Sequence, residues 1–122
     1  DPEQLKRVIN NIISNSVKYM SSDRKGIINI RISDVDDFVQ FEIEDNGKGI
    51  AQKDVQYIFD RFYRTDASRN SAQGGSGIGL SIVKKIISDH GGQIWATSKE
   101  GTGTVMHFVL RKYKNQESEH NE

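Results

Sequence analysis

The stretch "FVQFEIEDNGKGI", residues 38–50, decides the fold. Val39, Phe41 and Ile43 alternate with Gln40, Glu42 and Glu44, the period of two that a half-buried strand requires. Continuing that alternation puts Asp45 on the inward face, at the end of the apolar row. A carboxylate buried there costs several kcal/mol unless donors meet it. Asp-Asn-Gly is a turn sequence, so a tight strand-to-helix connection accounts for Asn46, Gly47 and Gly49. It does not account for an inward Asp45.

Working outward, "IINIRIS" at 27–33 shows the same period, with Ile28, Ile30 and Ile32 on one face. The short "DVDD" at 34–37 joins the two runs as an antiparallel hairpin. Upstream, Asp1, Pro2 and Gln4 form a helix start. Leu5, Val8, Ile9, Ile12, Ile13 and Ser16 then cluster on one side of a helix spanning about 2–20. Gln4, Arg7, Asn11, Asn15 and Lys18 line a polar stripe beside them. Downstream, "AQKDVQYIF" at 51–59 is a short helix, and the aperiodic 60–76 reads as a long functional loop. A second amphipathic helix covers 77–90, with Ile78, Ile82, Val83, Ile86 and Ile87 inward and Gly91–Gly92 as its stop. Two more strands, "QIWATS" and "GTVMHFVLRK", follow, with Thr104, Met106, Phe108 and Leu110 sharing a face. These elements predict an α/β two-layer sandwich: a mixed, mainly antiparallel sheet covered on one face by helices. One domain is expected over 1–111, with 112–122 a polar, disordered tail.

Bulk properties narrow the function. The 122 residues suffice for one core. Lys plus Arg and Asp plus Glu balance at 17 each, so nothing global attracts nucleic acid. With no cysteine, disulfides and thiolate metal sites are excluded. No apolar run approaches the roughly 18 residues that span a bilayer.

Four clusters at element ends carry the chemistry. Asn11, Asn15 and Lys18 are spaced i, i+4, i+7 and point the same way. An amide oxygen there, with nucleotide phosphates and waters, can hold Mg²⁺, and Lys18 can meet a phosphate; a plain solvated face is the alternative. Asp45 only accepts hydrogen bonds, so its natural partner is a donor such as the exocyclic amine of adenine. In "FDRFYR" at 59–64, Phe59 and Phe62 suit a core anchor and leave Arg64 for a phosphoryl group. In "GGSGIGL" at 74–80, the glycines let backbone approach a ligand before a helix N-terminus that favours anions. That stretch fits neither the P-loop nor the dinucleotide fingerprint. "GTGT" at 101–104 adds a hydroxyl on an inward face.

In this order and spacing, the asparagine helix, DNGKGI, FDRFYR, GGSGIGL and GTGT resemble the five sequence boxes of sensor histidine kinases, over about 1–110. The resemblance implies the Bergerat ATP-binding fold, shared with DNA gyrase and heat-shock chaperone ATPases. It implies ATP and Mg²⁺ as cofactors, and roles for matching residues. Asn15 would be the metal ligand and Asn11 would line the same wall; Lys18 and Arg64 would contact the γ-phosphate. Tyr19 would lie beside the adenine, Asp45 would read its amine, Gly49 would give the ring room, and Thr104 would support Asp45. Gly47 and Ile50 would complete that wall, and Gly75, Gly77, Ile78, Gly79 and Leu80 would bound a flexible lid.

The family's phosphoacceptor pattern, His-Glu/Asp-x-x-Arg-x-Pro, is absent: His90, His107 and His120 do not fit it. The resemblance therefore implies a catalytic half that phosphorylates a histidine on a separate dimerisation domain. A response regulator receiver domain would be the indirect partner, and this half alone would be a monomer. Its setting would be the cytoplasmic side of a membrane-bound bacterial sensor kinase. Where gyrase-like relatives carry a water-activating glutamate, this chain has Asn11, and an amide is no general base near neutral pH. Slow hydrolysis by the domain alone is expected. The alternatives are an anti-sigma-type serine kinase of the same fold and a non-catalytic docking module.

Overall fold

A computed structural model describes residues 2–60 and 79–112. Helix α1 runs Pro2–Lys18, strand β1 Ile28–Val35, β2 Phe38–Asp45, helix α2 Gln52–Val55, helix α3 Gly79–Asp89, β3 Gln93–Lys99 and β4 Gly103–Arg111. The four strands form one sheet in the order β1-β2-β4-β3, and every pairing among them is antiparallel. The β1–β2 hairpin closes on Asp36 and Asp37, and Asp36 takes φ 55. Two-residue hairpin loops favour such left-handed backbone, and aspartate tolerates it.

The alternation read from β2 and β4 is the packing rule of the core. Phe41, Ile43, Met106 and Phe108 face the helices and are buried, together with Val8 and Ile12 of α1 and Val83 and Ile87 of α3. Phe41 and Phe108 pair across the sheet and stack with ring centroids 4.6 Å apart. Ile58 and Phe59, just past α2, close the same core, so Phe59 has the anchoring role its position suggested. Gly91, with φ +75, ends α3, and Gly92 N–H returns to Ile87 O at 2.9 Å. Phe108 is completely buried at the centre of this layer. Phe108→Ala is expected to destabilise the domain by about 3–5 kcal/mol, read as a lowered urea midpoint.

β1 departs from the simple picture. Its register sets Ile30 opposite Ile43 and Ile32 opposite Phe41, so its apolar row lies on the core face. Yet Ile30 is 47% and Ile32 62% exposed. The helices pack over β2, β3 and β4, and β1 lies at the sheet's edge. Period two reports which face a residue takes, but not whether that face is covered.

On the opposite face, Arg31 donates to Glu42 at 3.0 Å and to Glu44 at 2.8 Å. The Arg31 guanidinium holds the Glu42 carboxyl below the usual carboxylate range.

Candidate functional site

Asp45 closes β2, opposite Thr104 on β4 and Ile28 on β1. Two donors fix one of its oxygens: Gly47 N–H reaches Oδ1 at 2.9 Å and Thr104 N–H at 3.3 Å. Oδ2 accepts neither of them. The carboxylate that packing could not explain is thus anchored by one oxygen, and among the described residues these two donors both go to Oδ1.

The turn after Asp45 is a junction of three segments. Lys48 N–H donates to the Tyr19 carbonyl at 3.0 Å, which brings the end of α1 against the turn. A Cβ on Gly47 would stand 2.7 Å from that carbonyl oxygen, so the approach requires glycine. Gly101 N–H donates to Lys48 O at 2.7 Å, and Arg24 Nη2 donates to Gly101 O at 2.8 Å. Asn46 clips the α1–β1 connection: its Oδ1 accepts from Ile27 N–H and its Nδ2 donates to Lys25 O, both at 2.8 Å. Gly49 takes φ +77, and its missing Cβ would lie 2.3 Å from Lys99 O. Close packing on the 99–100 turn therefore requires glycine at this position.

The end of α1 carries the other polar cluster. Asn11, Asn15 and Lys18 are half-buried along one side of the helix, and Tyr19 follows directly. Lys18 Nζ lies 5.8 Å from the Tyr19 ring centroid. Because Tyr19 is bonded to the Asp45 turn, the last turn of α1, with Asn15 and Lys18, ends beside that turn. Among the described residues no group of three or more His, Cys, Asp or Glu is placed to hold a metal. A metal at this end would rest on an asparagine amide oxygen. Ile50 and Leu80 pack against the edge of the core, and Gly79 opens α3. Arg64, Gly75, Gly77 and Ile78 lie outside the described residues.

Ser98, which sequence reasoning passed over, is central to this site. Its Oγ accepts from Ile50 N–H at 2.8 Å, donates to Gly103 O at 2.9 Å, and lies 2.8 Å from Thr104 Oγ1. The available signal was parity: Ile94, Ala96 and Ser98 form the inward row of β3, ending in a hydroxyl as the β2 row ends in Asp45.

The two histidines among the described residues, His90 and His107, are engaged elsewhere. His107 is on the outer face, with Nδ1 3.2 Å from Glu42 Oε2, Nε2 2.9 Å from Thr97 Oγ1, and its ring stacked on Trp95. His90 Nδ1 lies 2.7 Å from Ile86 O.

This arrangement offers an acceptor wall at Asp45, an amide-bearing helix end, and a lysine. That combination suits a purine amine at one end and a metal-bound polyphosphate at the other. Comparison with known proteins gives the family. Residues 1–114 match the family described as "Histidine kinase-, DNA gyrase B-, and HSP90-like ATPase". The sensor histidine kinase WalK of Bacillus subtilis (strain 168) is 39% identical over 122 residues, all of this chain and 20% of that protein. The sensor protein kinase WalK of Staphylococcus aureus is 40% identical over 110 residues, 90% of this chain and 26% of that one. The chain thus spans a fifth to a quarter of these relatives. Among solved structures, the mycobacterial sensor histidine kinase MprB superposes with a TM-score of 0.78 at 29% identity, covering 91% of this chain and 74% of that one. The catalytic domain of the histidine kinase ThkA gives 0.75 at 31% identity, covering 92% and 68%.

Proposed function

Since the chain belongs to the histidine kinase-, DNA gyrase B- and HSP90-like ATPase family, we propose that it binds Mg-ATP and transfers the γ-phosphoryl group to a histidine on a separate dimerisation and phosphoacceptor domain. The observation that carries this reading is Asp45, an inward carboxylate whose two backbone donors among the described residues both go to Oδ1, so that Oδ2 would meet the base amine.

The residues divide the work along the nucleotide. Asp45 accepts from the adenine amine, with Thr104 beside it and Tyr19 along the ring. The turn glycines Gly47 and Gly49 hold the wall closed behind them by the contacts their missing Cβ atoms permit. Asn15 would hold Mg²⁺ through its amide oxygen, Asn11 would line the same side, and Lys18 would face the phosphates. Bound Mg²⁺ supplies charge neutralisation on the phosphate oxygens. Arg64 and the segment with Gly75, Gly77 and Ile78 are assigned the γ-phosphate side, with Gly79 and Leu80 at the start of α3. An imidazole nitrogen of the acceptor forms the new bond to the γ-phosphorus, the bond to the β-phosphate oxygen breaks, and ADP leaves. Catalysis then rests on positioning and charge stabilisation, and no group at Asn11 activates water.

The remaining partners follow from this reading. The parent is a bacterial sensor kinase that presents this domain in the cytoplasm, and a receiver domain takes the phosphoryl group afterwards. Within the described residues no helix is long and apolar enough to cross a membrane. The isolated domain is a monomer.

The test supplies a dimerisation and phosphoacceptor domain from a sensor kinase, together with Mg-ATP. Phosphate should appear on that domain in acid-labile form, while the catalytic domain alone turns over ATP slowly. Acid-stable phosphate would identify a serine kinase, and ATPase-like turnover by the domain alone would contradict the role given to Asn11. Asn15→Ala is expected to remove the Mg²⁺ dependence of ATP binding and lower transfer by about a hundredfold or more. Titrations with and without Mg²⁺ check the first effect, and initial transfer rates the second.

A further inference from the structure

Ser98 has one hydroxyl proton and three polar neighbours. The Gly103 carbonyl, 2.9 Å away, only accepts, so that contact uses the Ser98 proton. Ile50 N–H only donates, so Ser98 Oγ accepts from it. The third neighbour, Thr104 Oγ1 at 2.8 Å, then bonds only by donating its own proton to Ser98. Thr104 is 94% buried by its 6% exposure, and its hydroxyl proton is committed inward. What Thr104 offers to any further neighbour is a lone pair. Asp45, its partner in the β2–β4 register, is likewise an acceptor.

We infer that Ser98 is a positioning residue that sets nucleobase specificity, by taking the Thr104 proton and fixing the base end of the pocket as acceptor-only. The inference rests on the proposed ATP site and deepens it. An acceptor-only wall takes a base edge with an amine. It repels one with a carbonyl, because lone pairs then face lone pairs and the wall's groups are left unpaired. Without the Ser98 hydroxyl, the Thr104 rotor is released and can donate to a carbonyl.

The test is a calorimetric comparison of ATP with inosine triphosphate, which differs in carrying a carbonyl at position six and a proton on N1. The unmutated domain should prefer ATP by about a hundredfold or more. Ser98→Ala should shrink that ratio by about tenfold, and Ser98→Thr, which keeps the hydroxyl, should restore it. A Ser98→Ala protein that binds both nucleotides more weakly, in an unchanged ratio, has lost only structure and overturns the inference. Thr104→Val gives the same reading without touching Ser98, should the alanine variant not fold. The ratio falls if Thr104 is held as an acceptor, and it rises if Thr104 donates, which overturns the proposal. Binding of neither nucleotide by the unmutated domain sinks the ATP reading and this inference together. ATP binding with an unchanged ratio sinks this inference alone.

Discussion

Asp45→Asn is expected to abolish measurable ATP binding while leaving the domain folded. Gly47 N–H and Thr104 N–H both donate to Oδ1, so the amide oxygen of an asparagine is held in that place. Its NH₂ group then stands where Oδ2 stood. A donor faces the donor of the adenine amine, and a favourable charge-assisted bond becomes a repulsion with both groups unpaired. The expected loss is at least about a hundredfold in affinity. The fold should lose no more than about 1 kcal/mol, because the two backbone donors keep a neutral acceptor. Titration calorimetry checks the first number and urea denaturation the second. Unchanged ATP affinity in a folded variant would remove Asp45 from the site.

Gly103→Ala should produce the largest loss of stability at the site. Gly103 takes φ +145, a conformation side chains rarely adopt, and a Cβ there would stand 2.0 Å from Asp45 O and 3.0 Å from Asn46 Cα. These are backbone atoms at the end of the β2–β4 ladder, so no side chain can swing aside. The ladder must open where Asp45 pairs with Thr104. Strain and lost pairing together should cost about 3 kcal/mol or more, and ATP binding should weaken with them. Gly101→Ala is the control. It also has positive φ, +85, but its Cβ would meet nothing within 4 Å. Only backbone strain then applies, about 1 kcal/mol. Urea midpoints of the two variants should therefore separate clearly, and equal midpoints would contradict the close approach of β4 to Asp45.

The parts of the sequence that state their own geometry were the legible ones. Alternation in β2 and β4 located the core face, and it located Asp45 on that face, because side-chain direction follows chain position. The spacing of Asn11, Asn15 and Lys18 gave one helix side for the same reason. What depended on distant segments was not legible. Ile30 and Ile32 carry a core pattern yet are exposed, since nothing in their own stretch says β1 is an edge. The close packing of Gly49 on the Lys99–Glu100 backbone comes from half a chain away, and nothing in its own stretch announces it. Arg24 reaches Gly101 across 77 positions, a contact no local pattern announces. Ser98 was within reach, because its parity is as plain as that of Asp45. A serine among short polar residues attracts less notice than a carboxylate, although its hydrogen bonds organise the same wall.

The central claim is that the end of β2, the turn after it and the end of α1 form an ATP site. Titrating ATP into the unmutated domain, with and without Mg²⁺, tests it most directly. The account predicts saturable binding at one site per chain, tightened by Mg²⁺. No heat of binding under either condition, from a domain shown to be folded, would contradict it and leave the docking module as the better description.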